Sequence, residues 1–222
     1  MYEFNFAPVF ESFDQLLMGA WLTVRLSCAA MLLGLVVSIV CAWGKTAGPS
    51  LIRFVINAYI EIIRNTPFLV QIFFIFFGLP SLGLRLSPDG AALLALVVNF
   101  GAYGTEIIRA GIESIQKGQV EAGTALGLSK LQVFRYVIMK PALRTVYPSL
   151  TSQFIYLMLT SSVVSVISAD DLAAAGNDLQ SATFASFEVY IVITLMYLAL
   201  SIGFSVIFAA IEKMAFRYPL SR

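Results

Sequence analysis

The 222-residue chain is 59% hydrophobic and only 12% charged, with a formal net charge of +1, which is far more apolar than soluble domains are. The near-neutral balance, with no Lys/Arg run interleaved with aromatics, excludes nucleic acid as a partner. The chain contains no histidine, so His-based triads and most metal sites are excluded, and Cys28 and Cys41, both in the first apolar run, read as small buried hydrophobes.

Residues 1–15, MYEFNFAPVFESFDQ, are acidic and lack the positive n-region of a cleavable signal peptide. Phe4, Phe6, Val9, Phe10 and Phe13 alternate there with polar residues, the pattern of an interfacial helix that anchors the chain. A membrane domain over 16–211 follows. It has five stretches long enough for about 30 Å of hydrocarbon: roughly Leu16 to Trp43, Leu51 to Leu79, Ala91 to Ile112, Pro148 to Ile167 and Phe187 to Ile211. After the first, Gly44-Lys45-Thr46 resembles the end of a phosphate-binding loop. Ile39 stands where that motif needs glycine, and the tripeptide follows a span rather than a strand, so the chain is not expected to hydrolyse ATP by itself.

The second stretch carries IEIIRNTPFLVQIFF. Glu61 and Arg64 share one helix face, and Pro67 removes the amide that would bond the Ile63 carbonyl, so the helix is expected to bend there. A charge near mid-membrane costs about 3 kcal/mol on insertion scales, so Arg64 should face a wet cavity or a partner, Glu61 being one candidate. In the third stretch Asn99, Tyr103 and Glu106 fall at i, i+4 and i+7 and read as lining a passage. Gly101 and Gly104 beside them read as helix-packing positions.

A polar, basic island occupies 113–147. Glu121 to Leu126 read as the end of one helix, Gly127 as a left-handed turn residue, and Ser129 as the cap of a second helix, with Gln132 completing a capping box. Leu131, Phe134, Val137 and Ile138 line one side of that second helix, which Pro141 is expected to interrupt. Such a hairpin presents a rigid exposed surface; an amphipathic loop lying on the bilayer is the alternative. The fourth stretch sets Ser149, Gln153, Tyr156 and Thr160 on a second stripe, followed by Ser161, Ser162 and Ser165, although single hydroxyls also bond their own helix backbone. Facing each other, the two stripes and the break at Pro67 would enclose a polar cavity for a small zwitterionic solute. The fifth stretch is apolar and leads into a tail, 212–222, anchored by Glu212, Lys213 and Arg217.

An odd number of spans places the termini on opposite faces. Lys45, Arg53, Arg109, Lys117, Lys130, Arg135, Lys140, Arg144, Lys213, Arg217 and Arg222 fall on one side, and Glu3, Glu11, Asp14, Asp89, Asp170, Asp171, Asp178 and Glu188 on the other. The positive-inside rule then puts the island and the carboxyl terminus in the cytoplasm and the amino terminus outside. No internal repeat is evident, which weighs against an inverted-repeat carrier.

The island resembles the EAA loop of permease subunits of bacterial ABC importers, whose Glu-Ala-Ala is followed after three residues by Gly; here the positions are Glu121, Ala122, Gly123 and Gly127. The longer ALGLSKLQVFRYVIMKPALRTVYPSL, with IEIIRNTPFLVQ, NFGAYGTEIIRAGI and SSVVSVISADDL, is similar to the polar-amino-acid branch over almost the whole chain. The resemblance implies an all-α integral membrane fold of the type I importer kind, with five transmembrane helices and a cytoplasmic coupling helix between the third and fourth. It implies that Glu121, Ala122, Gly123, Ala125, Leu126 and Gly127 dock on a cytoplasmic ATPase subunit, which binds ATP and Mg while this chain binds no cofactor. A second permease subunit, identical or related, would complete the path in the bacterial inner membrane, and an extracytoplasmic binding protein would deliver an amino acid or close derivative. Candidate path residues are Arg64, Asn99, Tyr103, Glu106, Gln153, Tyr156, Thr160, Ser161 and Ser162, with Pro67 as the helix break.

Three departures from the family pattern stand out. Gly123 replaces the second Ala, which weakens that helix by up to about 1 kcal/mol unless something packs on it. Pro141 lies one residue later than in the commonest form. Leu159 and Thr160 stand where many relatives carry Lys followed by Asp or Asn, which counts against recognition of a cationic amino acid. An ion- or proton-coupled carrier or channel, relaying through Glu61, Arg64 and Glu106, is the alternative function. A membrane-embedded enzyme lacks a nucleophile–base constellation.

Overall fold

A computed structural model describes residues 4–216, so Glu3, Arg217 and Arg222 lie outside the described residues. Within them the regular structure is helical throughout. Helix α1 (Ala7–Glu11) carries Pro8 in its first turn, where a missing amide is harmless. The segment is docked on the bundle: Val9 is fully buried, and the Asn5 backbone N–H donates to Glu188 Oε1 at 2.8 Å.

Helix α2 (Phe13–Ala47) buries a face made mostly of Gly, Ala, Ser and Thr, from Gly19 to Ala42. Small residues let helix backbones approach closely where lipid offers no hydrophobic drive. Against this face lies α5 (Pro88–Glu113), which starts with Pro88 in its first turn and the Ser87 hydroxyl accepting from the Gly90 N–H at 3.2 Å. A Cβ on Gly104 would stand 2.3 Å from Ser38 Oγ, and one on Gly101 2.6 Å from the Tyr59 hydroxyl. Both glycines are packing positions, as their setting in the sequence suggested.

The second apolar stretch does more than bend. Helix α3 (Ser50–Arg64) meets the helical run Phe68–Leu82, which α4 (Phe68–Phe73) opens, at 112° across Asn65, Thr66 and Pro67. From α4 the chain continues through a π turn (Phe74–Gly78) and a 3-10 turn (Leu79–Leu82) to Gly83. Beyond α5 the island folds as α6 (Lys117–Ala125) and a short α7 (Lys130–Gln132). A π segment (Val133–Met139) then leads into α8 (Lys140–Thr160), with a 3-10 extension (Ser161–Ile167). Helices α9 (Leu172–Thr183) and α10 (Ser186–Ala215) complete the order.

Among the described residues, four helical stretches, Phe13–Ala47, Pro88–Glu113, Lys130–Ile167 and Ser186–Ala215, are long and apolar enough to cross a membrane, and the bent pair makes five if it is counted as one broken span. Two features go beyond the apolar pattern. The helix that carries the fourth apolar stretch begins at Lys130, inside the island. The segment between the fourth and fifth stretches also folds, as α9, which was too short and polar to register as an element. Asp171 caps α9 by accepting from the Ala174 N–H at 2.9 Å and receives the Tyr197 hydroxyl at 3.1 Å. The Leu172 N–H donates to Thr23 Oγ1 at 3.0 Å. Burial pushes the Asp171 carboxyl up to about 6, against the lowering effect of these donors.

The larger core gathers Leu96, Phe100, Phe154 and Leu157 from α5 and α8, with Phe204 and Phe208 of α10 packed on it. A smaller one joins Val9, Leu16, Leu172, Leu179 and Val189 at the end of the bundle away from the island. Close approach of α2 to α9 holds that second core. A Cβ at Gly19 would lie 2.9 Å from both Ala175 Cβ and the Asp171 carbonyl oxygen. Gly19→Ala should therefore destabilise the protein by about 1–3 kcal/mol through overpacking. Gly203→Ala, with nothing within 4 Å of the new methyl, should be neutral or gain up to about 1 kcal/mol of helix propensity. Thermal unfolding of the purified membrane protein ranks the two.

Candidate functional site

The island is a hairpin closed by backbone chemistry at both ends of its turn. Helix α6 ends in a left-handed cap at Gly127, φ 78°, where Leu128 N–H bonds the Gly123 carbonyl at 3.2 Å and Gly127 N–H bonds the Thr124 carbonyl at 3.0 Å. Ser129 starts the next helix, with its N–H on Gln132 Oε1 at 2.8 Å and its hydroxyl accepting from the Gln132 N–H at 3.4 Å. The turn and the capping box are those read from the sequence. Gly123 is buried, and a Cβ there would meet Val137 at 3.2 Å, so the helix-weakening glycine sits where the second arm packs on the first. Glu121, Ala122 and Ala125 are exposed, and Leu126 and Leu131 are 82% and 75% exposed.

Pro141 does not interrupt the second arm. A proline cannot donate to the carbonyl four residues back, and its ring crowds that carbonyl. Here the turn before it is widened into the π segment Val133–Met139, and the helix runs on from Lys130 to Ile167. Lys140 and Arg135 both lie over the Tyr136 ring, at 5.5 and 5.7 Å. The second arm of the hairpin and the residues Gln153, Tyr156 and Thr160 therefore belong to one continuous rod, against which α6 packs through Gly123.

At the break, Arg64 does not pair with Glu61. Glu61 Oε2 accepts from Asn65 Nδ2 at 2.9 Å, and the exposed Arg64 guanidinium lies 5.4 Å from the centre of the Tyr103 ring. Asn99 is buried, and its amide donates to Gln71 Oε1 at 3.0 Å; Gln71 in turn donates to the Ile63 carbonyl at 2.7 Å. That carbonyl is the one Pro67 deprives of a donor. Gln71 escaped the sequence reading, although an amide side chain four residues past a helix-breaking proline is a usable signal.

Glu106 is an ion-pair centre. Lys45 Nζ lies 2.6 Å from Oε1 and Arg109 donates to Oε2 at 2.8 Å, while Arg109 also reaches Glu113. The last turn of α2 is thereby tied to the island end of α5. On α8, Tyr156 is 56% exposed, Gln153 Nε2 is buried without a partner among the described residues, and the Ser161 and Ser162 hydroxyls donate to the carbonyls of Met158 and Leu159. The structure thus joins Arg64 with Tyr103 and Asn99 with the break. Glu106 is turned to charged neighbours and Tyr156 to the outside of the bundle. Two open surface depressions lie along α10, one lined by Ser186, Tyr190 and Thr194, and neither includes any of these residues.

A family model described as "Binding-protein-dependent transport system inner membrane component" matches residues 28–216. The chain is 34% identical over 213 residues to the glutamine transport system permease protein GlnP of Escherichia coli (strain K12), across 95% of this chain and 97% of that protein. It is also 34% identical over 209 residues to the probable glutamine ABC transporter permease protein GlnM of Bacillus subtilis (strain 168), across 94% and 97%. A crystal structure of an amino acid ABC transporter with histidines superposes with a TM-score of 0.89 at 33% identity, covering 96% of this chain and 100% of that one.

The tie at Glu106 can be tested by removing its charge. Glu106→Gln should lower stability by about 1–2 kcal/mol, between the values for exposed and buried pairs. Adding Lys45→Met to it should then cost little more, because the two share one interaction. Thermal unfolding of the single and double variants closes the cycle.

Proposed function

The chain belongs to the family of inner-membrane components of binding-protein-dependent transport systems, and on that footing we propose that it is the permease subunit of an ATP-driven importer of an amino acid or close derivative. The observation that carries this reading is the capped, exposed hairpin at 121–129, whose second arm starts at Lys130 and runs through Pro141 into the helix that bears Gln153, Tyr156 and Thr160. A rigid surface at one end and polar side chains along the same rod are what a force-coupled permease requires. The names of the relatives, a glutamine permease and a probable glutamine permease, support the amino-acid class.

In this account Glu121, Ala122, Gly123, Ala125, Leu126 and Gly127 dock on a cytoplasmic ATPase subunit, which binds ATP and Mg. The Lys and Arg distribution supports a cytoplasmic island and an outer amino terminus. Arg64 and Tyr156, exposed on a single chain, would face the water-filled path completed by a second permease subunit, since lipid accepts a charge only at a cost of about 3 kcal/mol. Tyr103, Gln153 and Thr160 would line the same path, with Ser161 and Ser162 at its edge. A binding protein on the outer side delivers the solute. Closure of the ATPase pair then pushes on the hairpin, and the path changes sides because the contacts differ in the two states.

The carrier reading loses support at Glu106, which is held between two cations and is poorly placed to relay protons. Glu121→Lys should leave insertion and assembly intact and abolish solute-stimulated ATP hydrolysis by the reconstituted complex. Unchanged hydrolysis would remove the coupling role.

A further inference from the structure

Pro67 leaves a helix carbonyl without its usual donor, and a loose joint is the simplest outcome of such a break. The side chains around it argue otherwise. Gln71 Nε2 lies 2.7 Å from the Ile63 carbonyl oxygen and 3.0 Å from both the Thr66 carbonyl oxygen and Thr66 Oγ1. It supplies, from the first turn of α4, the hydrogen that the backbone cannot give to the Ile63 carbonyl in the last turn of α3, and it binds the Thr66 link as well. Its Oε1 is filled by Asn99 Nδ2 at 3.0 Å. One residue earlier on α5, the Val98 carbonyl accepts the Tyr59 hydroxyl at 2.6 Å. Gln71 and Asn99 are both buried, so water does not compete for the bond between them.

We infer that Gln71 and Asn99 are positioning residues that lock the elbow between α3 and α4, so that both half-helices move with α5 and the break is not the hinge of the cycle. Arg64 directly follows the carbonyl that Gln71 holds, and Tyr103 lies one turn beyond Asn99. The same knot therefore sets the 5.4 Å stacking of Arg64 on Tyr103 and with it the place of the cation in the path. Opening the elbow strips partners from the Ile63 and Thr66 carbonyls and from the Asn99 amide together. Each group left unpaired makes the opened form about tenfold rarer. The place of the lock in a transport cycle rests on the importer reading above, whereas the lock itself rests on the geometry of one chain.

Spin labels at Val55 and Phe77, exposed positions on either side of the elbow, test the lock in the intact permease complex. It requires one narrow distance that moves by less than about 2 Å between the nucleotide-free and ATP-bound complex. Gln71→Leu is expected to broaden that distance, and Asn99→Asp, which keeps the shape but removes the donor, to broaden it less. Pro67→Ala restores the backbone amide, so combining it with Gln71→Leu should narrow the distribution again, a rescue that a merely space-filling Gln71 would not give. A distance that shifts by several ångström with nucleotide, or a Gln71→Leu variant as narrow as the parent, overturns the lock. Solute-stimulated ATP hydrolysis in the same samples separates the two readings: activity with a moving elbow removes the lock and leaves the importer standing.

Discussion

A proline takes from its helix the amide that the carbonyl four residues back would bond, and this chain meets that loss in contrasting ways at Pro67 and Pro141. At Pro67 the helix gives way, turns through 112°, and a glutamine side chain takes over the work of the lost amide. At Pro141 the helix instead widens by a π segment and carries on. The first solution makes an elbow and the second preserves a rod. Because the rod begins in the polar island and ends at the 3-10 turn of Ser161–Ile167, whatever presses on the hairpin presses on the helix that bears Gln153, Tyr156 and Thr160.

The rod is braced rather than free. A Cβ on Gly111 would come within 2.0 Å of Val146, so the two arms that lead into and out of the island touch backbone to side chain at its neck. Lys45 and Arg109 converge on Glu106 just above, and Ser38 bonds the Gly101 carbonyl at 3.2 Å, which ties α2 to the same unit. Small residues and one charged cluster thereby join α2, α5 and α8 near the island. At the other end Asp171, Tyr197 and Thr23 fasten α9 between α2 and α10. This division suits a permease in which one end receives force and the other admits solute.

Local chemistry was the most legible part of the sequence. Gly127, Ser129 and Gln132 act within a few residues of one another, so the hairpin could be read from their order, and each of the four long apolar helices contains an apolar run visible in the sequence. The helix break at Pro67 was legible in position but not in size, because its angle depends on Gln71 and on Asn99 across the bundle. Pro141 misled because a proline within a helical pattern normally ends it, and a π widening has no sequence signature. Glu106 read as a path residue because its partner Lys45 lies on another helix, a pairing that helix periodicity cannot reveal. Asn99 was placed on a stripe with Tyr103 and Glu106, yet in the fold the three turn to different neighbours. Helix α9 was missed since its alanines and polar residues form neither a membrane-length run nor a strong apolar face.

The central claim is that the hairpin and the fourth crossing act as a single lever. Inserting two glycines between Met139 and Lys140 would make that lever limp while leaving the docking surface and the polar stripe unchanged. In proteoliposomes containing the complete complex, the account predicts that ATP hydrolysis persists while solute uptake falls to background. Uptake at the parental rate would contradict it.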